Sequence, residues 1–178
     1  MKFSFKAILL STIILVSCNS KHEQMMEGPY EPTWESLAQY GEAPEWFRDV
    51  KFGIWSHWGP QCQPGQGDWY AREMYMEGSR AYNWHVKNYG HPSEFGFKDV
   101  INEWKADQWN PEELMELYHR VGARYFFTLG NHHDNLDNWN SKHHKWNSVN
   151  VGPKKDIVGE WEKEARKHGM YFGVSIHS

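Results

Sequence analysis

The chain has 178 residues and a formal net charge of −4 at pH 7. One domain is the default expectation for this length, and the lack of a long basic run makes nucleic acid a poor candidate partner. Aromatic residues are abundant, with 11 Trp and 9 Tyr. Their flat apolar faces and polar edges suit stacking on sugar rings or bases, although a tryptophan-rich core would use some of them in any case.

The N-terminus has the pattern of an export signal. Lys2 and Lys6 form a positively charged segment before an apolar stretch, residues 7–16. This stretch is too short to span a bilayer. The sequence Leu15-Val16-Ser17-Cys18 resembles the lipobox of bacterial lipoproteins, in which Cys18 would be lipidated and become the mature N-terminus. We therefore predict a lipoprotein-type signal peptide over residues 1–18, with an ordinary cleaved signal peptide as the alternative.

This signal predicts that the protein is exported and that a linker joins its membrane anchor to the folded domain. Acyl chains on Cys18 would anchor the protein stably in the bacterial cell envelope, on its periplasmic or surface face; without them the protein would be periplasmic or secreted. Residues 19–33 are polar, contain Gly28, Pro29 and Pro32, and are typical of a linker. The folded domain is predicted over residues 34–178. Its only cysteine is Cys62, so we expect no intramolecular disulfide in the mature chain.

Three apolar stretches, residues 50–55, 125–129 and 170–176, are predicted strands. The second is aromatic and β-branched with almost no polar interruption, which indicates a strand buried on both faces. Helices are predicted between the strands, so the order is that of a parallel α/β sheet. In such sheets ligands bind at the carboxyl ends of the strands. Polar residues follow each predicted strand there: Ser56 and His57, then Asn131, His132, His133 and Asp134, then His177 and Ser178.

The helix before the second strand is well marked. Asn110 is a good N-cap, Pro111 suits the first position, and Glu113 completes a capping box. Its predicted apolar face consists of Leu114, Leu117, Tyr118 and Val121. Asp156 is predicted to cap the next helix, residues 157–168, whose apolar face is Ile157, Val158, Trp161 and Ala165.

The remaining segments are less regular. A short helix is predicted over residues 45–49, a loop over 61–68, a helix or turn over 69–75, and short helices joined by loops over 76–106. Residues 135–155 are predicted to form a long loop, and long loops in compact domains are usually functional. The pair His143 and His144 in this loop is interpreted as a solvated feature.

Several motifs, taken together, resemble one enzyme family. Lys51-Phe52-Gly53-Ile54-Trp55-Ser56-His57-Trp58-Gly59 spans the first strand, Asp68-Trp69-Tyr70 follows it, and Asn131-His132-His133-Asp134 ends the second strand. Residues 146–148, 151–156 and 158–160 lead into the next helix. In order and spacing these segments resemble the α-L-fucosidases (glycoside hydrolase family 29), retaining glycosidases with a (β/α)8-like barrel. The resemblance covers roughly residues 46–178; Asn131 replaces the usual Lys, and Asn135-Leu136 replace the usual Gly-Phe.

The resemblance implies roles for individual residues. His57, His132 and His133 would hydrogen-bond the hydroxyls of fucose, Trp69 would pack on the sugar, and Asp68 would be a further hydroxyl contact. A neutral imidazole donates from one nitrogen and accepts at the other, which matches a hydroxyl. The partner would be a fucosylated oligosaccharide or glycoconjugate, with no cofactor and no metal.

A barrel needs eight strands, so the chain looks like the first three βα units of a larger protein. A retaining mechanism needs two carboxyl groups about 5–5.5 Å apart. By the resemblance both the nucleophile and the acid/base lie downstream of Ser178, and Asp134 is interpreted as structural. Two alternatives remain: a non-catalytic sugar-binding lipoprotein and, less favoured, a metal-dependent barrel hydrolase that uses the same histidines.

Overall fold

The computed structural model describes residues 30–177. The predicted signal peptide, Cys18 and most of the predicted linker therefore lie outside the described residues. The described part of the chain divides into two compact units, one that ends at Glu42 and one that begins at Ala43. In the first, the Thr33 hydroxyl accepts a hydrogen bond from the Ser36 backbone at 3.2 Å and begins helix α1 (Trp34–Leu37). Between residues 30 and 177, no helix is both long enough and apolar enough to cross a membrane.

The second unit is built on a three-stranded parallel sheet. Its strands are β1 (Gly53–Ser56), β2 (Tyr125–Asn131) and β3 (Tyr171–Ile176), with β2 in the centre. The register aligns Ile54 with Phe126 and Phe126 with Phe172. The prediction of a parallel α/β sheet is confirmed.

The first strand starts later than the sequence pattern suggested. Val50 is the last residue of helix α2 (Glu45–Val50), and Lys51 ends that helix in the left-handed conformation with φ of 53°. The Phe52 backbone N–H donates to the Val50 carbonyl, which closes a tight turn before the strand. Val50 is apolar and was predicted to begin the strand, but in the structure it belongs to the helix.

The helices between the strands fall largely where they were predicted. The stretch from 69 to 106 contains α3 (Tyr70–Glu73), α4 (Arg80–Tyr89) and α5 (Phe97–Glu103), and the following helices are α6 (Pro111–Arg120) and α7 (Ile157–Lys167). The segment predicted as a loop after β1 includes one short 3-10 turn, Pro60–Cys62.

Helix α6 has the predicted cap but a partly different buried face. The Asn110 side chain accepts a hydrogen bond from the Glu113 backbone at 3.2 Å. Met115 is fully buried, whereas Leu117 and Val121 are 39% and 57% exposed, so the predicted face was wrong at those two positions. The helix turns Tyr118 onto Phe126 of β2, with stacked rings 5.8 Å apart, and this contact sets which side faces the core.

Helix α7 packs on the same face of the sheet. The Asp156 side chain caps it by accepting from the Gly159 backbone at 2.9 Å. Ile157, Trp161 and Ala165 are buried as predicted. Helices α6 and α7 cover the side of β2 that carries Phe126, and Phe47 of α2 contacts Tyr125 on the other side. On that other side Tyr125 and Phe127 are half-buried and Leu129 is fully buried, so the predicted burial of both faces holds there only in part.

The segment from β2 to α7 has no regular element but is packed rather than loose. Leu136, Asp137 and Asn138 are buried, and Asp137 forms an isolated bridge with Asn147. The Asn138 backbone N–H donates to the Gly130 carbonyl at 2.7 Å, which ties the segment to the end of β2. It is therefore a fixed part of the domain.

Gly152 gives a test of that packing. Its φ is +61°, and an added Cβ would lie 2.7 Å from the Ile101 backbone oxygen at the end of α5. Gly152→Ala therefore combines left-handed strain with a collision against backbone, and we expect it to lower the free energy of unfolding by about 2–4 kcal/mol. Gly65→Ala is the matched control, because Gly65 has φ of +64° with nothing within 4 Å of the added Cβ. Urea denaturation of the full-length protein should show the larger loss at Gly152; equal losses would contradict the packing described here.

Candidate active site

Three strand ends converge on one cluster of imidazoles. His57 follows β1, His132 follows β2, and His177 follows β3. The pairing of β2 with β3 is irregular between Leu129 and Asn131, and the His177 backbone N–H then donates to the Asn131 carbonyl at 3.0 Å. This irregularity brings the end of β3 level with the end of β2.

The four histidines at these strand ends form one cluster. The His132 ring lies 4.8 Å from the His57 ring and 4.5 Å from the His133 ring, measured between centroids. His177 fills the middle of the group: its Nδ1 is 2.9 Å from Nε2 of His132, and its ring is 4.9 Å from that of His133. The site is thus a compact cluster of imidazoles at the carboxyl edge of the sheet. This cluster, His57, His132, His133 and His177, is called the histidine cup below.

The segment before α3 adds an aromatic wall and a carboxylate. The Trp69 ring lies 4.1 Å from the His133 ring and is 39% exposed. One Asp68 carboxylate oxygen lies 3.7 Å from His57 Nε2, which is too far for a direct hydrogen bond. All five predicted sugar-binding residues are therefore brought together in the structure.

Burial favours the neutral form of His132 and of His57. It lowers the pKa of His132 to about 4, and the neighbouring histidines lower it further because they would repel a second positive charge. Burial also lowers the pKa of His57, partly offset by the Asp68 carboxylate. Near neutral pH both rings therefore carry one donor and one acceptor nitrogen.

Much of this hydrogen-bonding capacity is unused within the described protein. Both ring nitrogens of His57, Nδ1 of His132 and Nε2 of His133 are buried and have no partner there. Buried polar atoms are normally paired, and leaving one unpaired costs about 1–3 kcal/mol. A ligand rich in hydroxyl groups, or ordered water, would satisfy these atoms.

The loop after β2 holds the two adjacent histidines in place. The Asn131 side-chain amide donates to Asp137 at 2.8 Å, and both residues are buried. Asp134 accepts from the Leu136 backbone at 2.8 Å, while burial raises its pKa to about 6. A carboxylate held in its own turn in this way fits the structural role expected for Asp134.

The second histidine pair is not simply a solvated feature. His143 is exposed, but His144 is half-buried, and its Nδ1 lies 3.7 Å from the Asp137 carboxylate. His144 also lines a cavity of about 330 Å³ together with His133, Asp134, Tyr75 and Trp146. The expectation of a solvated pair is therefore wrong for His144, because Asp137 draws it against the packed loop.

His177 was not among the predicted site residues. The signal was present, because His177 occupies the same position after β3 that His57 and His132 occupy after the other two strands. A second cavity, of about 690 Å³, lies on the helix side of β1 and is lined by Trp58, Trp104 and Trp109, but it contains none of the imidazoles described above.

A parallel α/β sheet with a polar site at the carboxyl ends of its strands defines the general class of α/β ligand-binding and catalytic domains. Comparison with known proteins narrows this class. A family model described as alpha-L-fucosidase matches residues 16–178. The chain belongs to the alpha-L-fucosidase family.

Individual relatives agree with this assignment. Tissue alpha-L-fucosidase from Rattus norvegicus is 31% identical over 176 residues, and alpha-L-fucosidase from Branchiostoma floridae is 34% identical over 151 residues. The match covers 98% of this chain and 38% of the rat protein, and 82% of this chain and 33% of the Branchiostoma protein. The chain therefore spans about a third of the length of these relatives.

A solved structure shows the same arrangement of the chain. The crystal structure of Thermotoga maritima alpha-fucosidase superposes with a TM-score of 0.75 at 34% identity, covering 83% of this chain and 37% of that one. Another structure of the Thermotoga protein is a complex with fucose.

Proposed function

We propose that the full-length protein is a retaining α-L-fucosidase that removes terminal α-L-fucosyl groups from oligosaccharides or glycoconjugates. The observation that carries the proposal is the convergence of His57, His132, His133 and Trp69 on one point in a chain of this family. This chain supplies the sugar-binding side of the site. The complete domain would be a (β/α)8-like barrel, of which the described sheet is the first three strands.

In this proposal the imidazoles hold the sugar in a fixed orientation. Each neutral ring can donate to one hydroxyl and accept from another, and the unpaired nitrogens of His57, His132 and His133 are available for this. Trp69 presents an aromatic face beside them for the apolar face of the sugar. Asp68, next to His57, would accept from a further hydroxyl.

His177 extends this set. Its Nδ1 is within hydrogen-bond distance of His132 Nε2. If His132 Nε2 donates in this bond, His132 Nδ1 accepts from the sugar; if His132 Nε2 accepts, His132 Nδ1 donates to the sugar. A fixed tautomer matters because a hydroxyl in the wrong orientation would meet two donors or two acceptors. The role of His177 here is to position His132.

The chemistry itself would be supplied by residues downstream of Ser178. Retaining hydrolysis needs a nucleophilic carboxylate and an acid/base carboxyl group about 5–5.5 Å apart. Asp134 is not assigned to either role, because its carboxylate already accepts from the Leu136 backbone within its own turn.

We also propose that the protein is exported and anchored by lipidated Cys18 in the envelope of a bacterial cell, with residues 19–33 as tether and residues 34–178 as the start of the catalytic domain. Metabolic labelling with a palmitate analogue would test this. Label should appear on the wild-type protein and be lost in Cys18→Ala.

A comparison of two polypeptides tests whether the catalytic carboxyl groups lie outside residues 1–178. The full-length protein should release the aryl group from an aryl α-L-fucoside, whereas a polypeptide of residues 1–178 should show no turnover above background, because both carboxyl groups are missing. Turnover by the shorter polypeptide would place a catalytic carboxylate pair within these residues. Binding of fucose without turnover by the full-length protein would instead support a non-catalytic sugar-binding protein.

A further inference from the structure

The histidine cup has a second chemical property besides hydroxyl binding. One ring nitrogen from each of His57, His132 and His177 lies within 4.8 Å of the other two. Imidazole nitrogen is a preferred ligand of Zn²⁺ and related ions, at Zn–N distances of about 2.0–2.1 Å. In a tetrahedral site two such ligand nitrogens are about 3.4 Å apart. The distance between His177 Nδ1 and His132 Nε2 is 2.9 Å, a little shorter than this, and the limit of 4.8 Å for the three nitrogens is longer.

We propose that His57, His132 and His177 bind a divalent transition-metal ion such as Zn²⁺, and that this ion excludes the sugar and inhibits the enzyme. The second half of this inference rests on the proposed function, because it assigns the same imidazoles to the sugar.

Two further features of the site support metal binding. Neither ring nitrogen of His57 has a hydrogen-bond partner in the described protein, so coordination by that ring would break no existing contact. The Asp68 carboxylate, 3.7 Å from His57 Nε2, supplies a negative charge and an oxygen that could become a fourth ligand. The rings would have to rotate to close the three nitrogens around one ion, because these nitrogens lie up to 4.8 Å apart.

His133 provides the matched control. Its ring lies 4.5 Å from that of His132, yet it does not belong to the set of three converging nitrogens. A metal site predicts that His133 is dispensable for the ion, whereas non-specific binding to a histidine-rich surface predicts similar losses at every histidine.

The test uses the full-length protein, freed of metal with a chelator and then dialysed. Titration with ZnCl₂ in a calorimeter should show one ion per protein, and His57→Gln and His177→Gln should each weaken binding at least about tenfold. His133→Gln should leave the Kd within about twofold. Saturating L-fucose should weaken zinc binding, and zinc should raise the KM for an aryl α-L-fucoside without lowering kcat.

A measurement on wild-type crystals makes the result independent of variant folding. An anomalous difference map from crystals soaked in ZnCl₂ should show one peak at bonding distance from the three nitrogens. No peak there, equal losses for His133→Gln and His177→Gln, or stimulation of turnover by zinc would overturn the inference. Failure of the proposed function is seen separately, as a metal-free protein that hydrolyses no fucoside.

Discussion

Replacing His132 or His133 by Ala should lower kcat/KM for an aryl α-L-fucoside by roughly tenfold to a hundredfold. His132 is 2% exposed, and burial together with the neighbouring histidines lowers its pKa to about 4. Loss of the imidazole would leave a sugar hydroxyl unpaired in such a pocket, at a cost of about 1–3 kcal/mol. If the contact strengthens as the ring distorts toward the transition state, the loss should be largely in kcat.

The control for this experiment is His143→Ala. His143 is exposed in the loop after β2, whereas His144 is half-buried and lines a cavity together with His133. His143→Ala should leave kcat/KM within about twofold of the wild-type value, and treatment of the wild type with a chelator should not reduce it. Equal losses at His132 and His143, or abolition of activity by the chelator, would argue against sugar binding by the cup.

Trp161→Ala should cost the most stability of any change considered, about 3–5 kcal/mol. Trp161 is 2% exposed and joins α7 to the sheet and to the neighbouring segment. Its ring lies 4.7 Å from Phe126 and 5.2 Å from Trp109. The indole N–H has no partner in the described protein, so the loss is one of packing rather than of a hydrogen bond.

Two variants separate this packing effect from general damage to α7. Trp161→Phe keeps an aromatic ring and should lose clearly less than Trp161→Ala. Lys163→Ala, two residues along, should change the free energy of unfolding by no more than about 1 kcal/mol, because Lys163 is exposed and its 3.4 Å ion pair with Glu164 is screened by solvent. Urea denaturation of the full-length protein measures all three, and a loss below about 1 kcal/mol for Trp161→Ala would show that this part of the core is not as described.

The sequence was most informative where local chemistry decides the structure. Asn110 and Asp156 each cap the helix they were predicted to cap, because a side-chain oxygen needs only the backbone N–H three residues later. The location of the site could also be predicted from the sequence. Parallel strands bring their carboxyl ends together, so the polar residues after each strand had to meet.

The errors lie where tertiary contacts decide. Helical periodicity alone could not show that α6 would bury Met115 and expose Val121, since that depends on the position of Phe126 and of α7. Likewise, nothing local to His144 shows that Asp137 approaches it. His177 was missed although its position directly after β3 was a sufficient signal; only its close approach to His132 depends on the irregular pairing near Asn131.

A crystal structure of the full-length protein soaked with L-fucose tests the central claim most directly. We predict the sugar in the cup, with its hydroxyls within hydrogen-bond distance of His57, His132 and His133 and its apolar face against Trp69. Fucose bound elsewhere, or a cup that contains only water at saturating sugar, would contradict the assignment of these residues to the sugar-binding site.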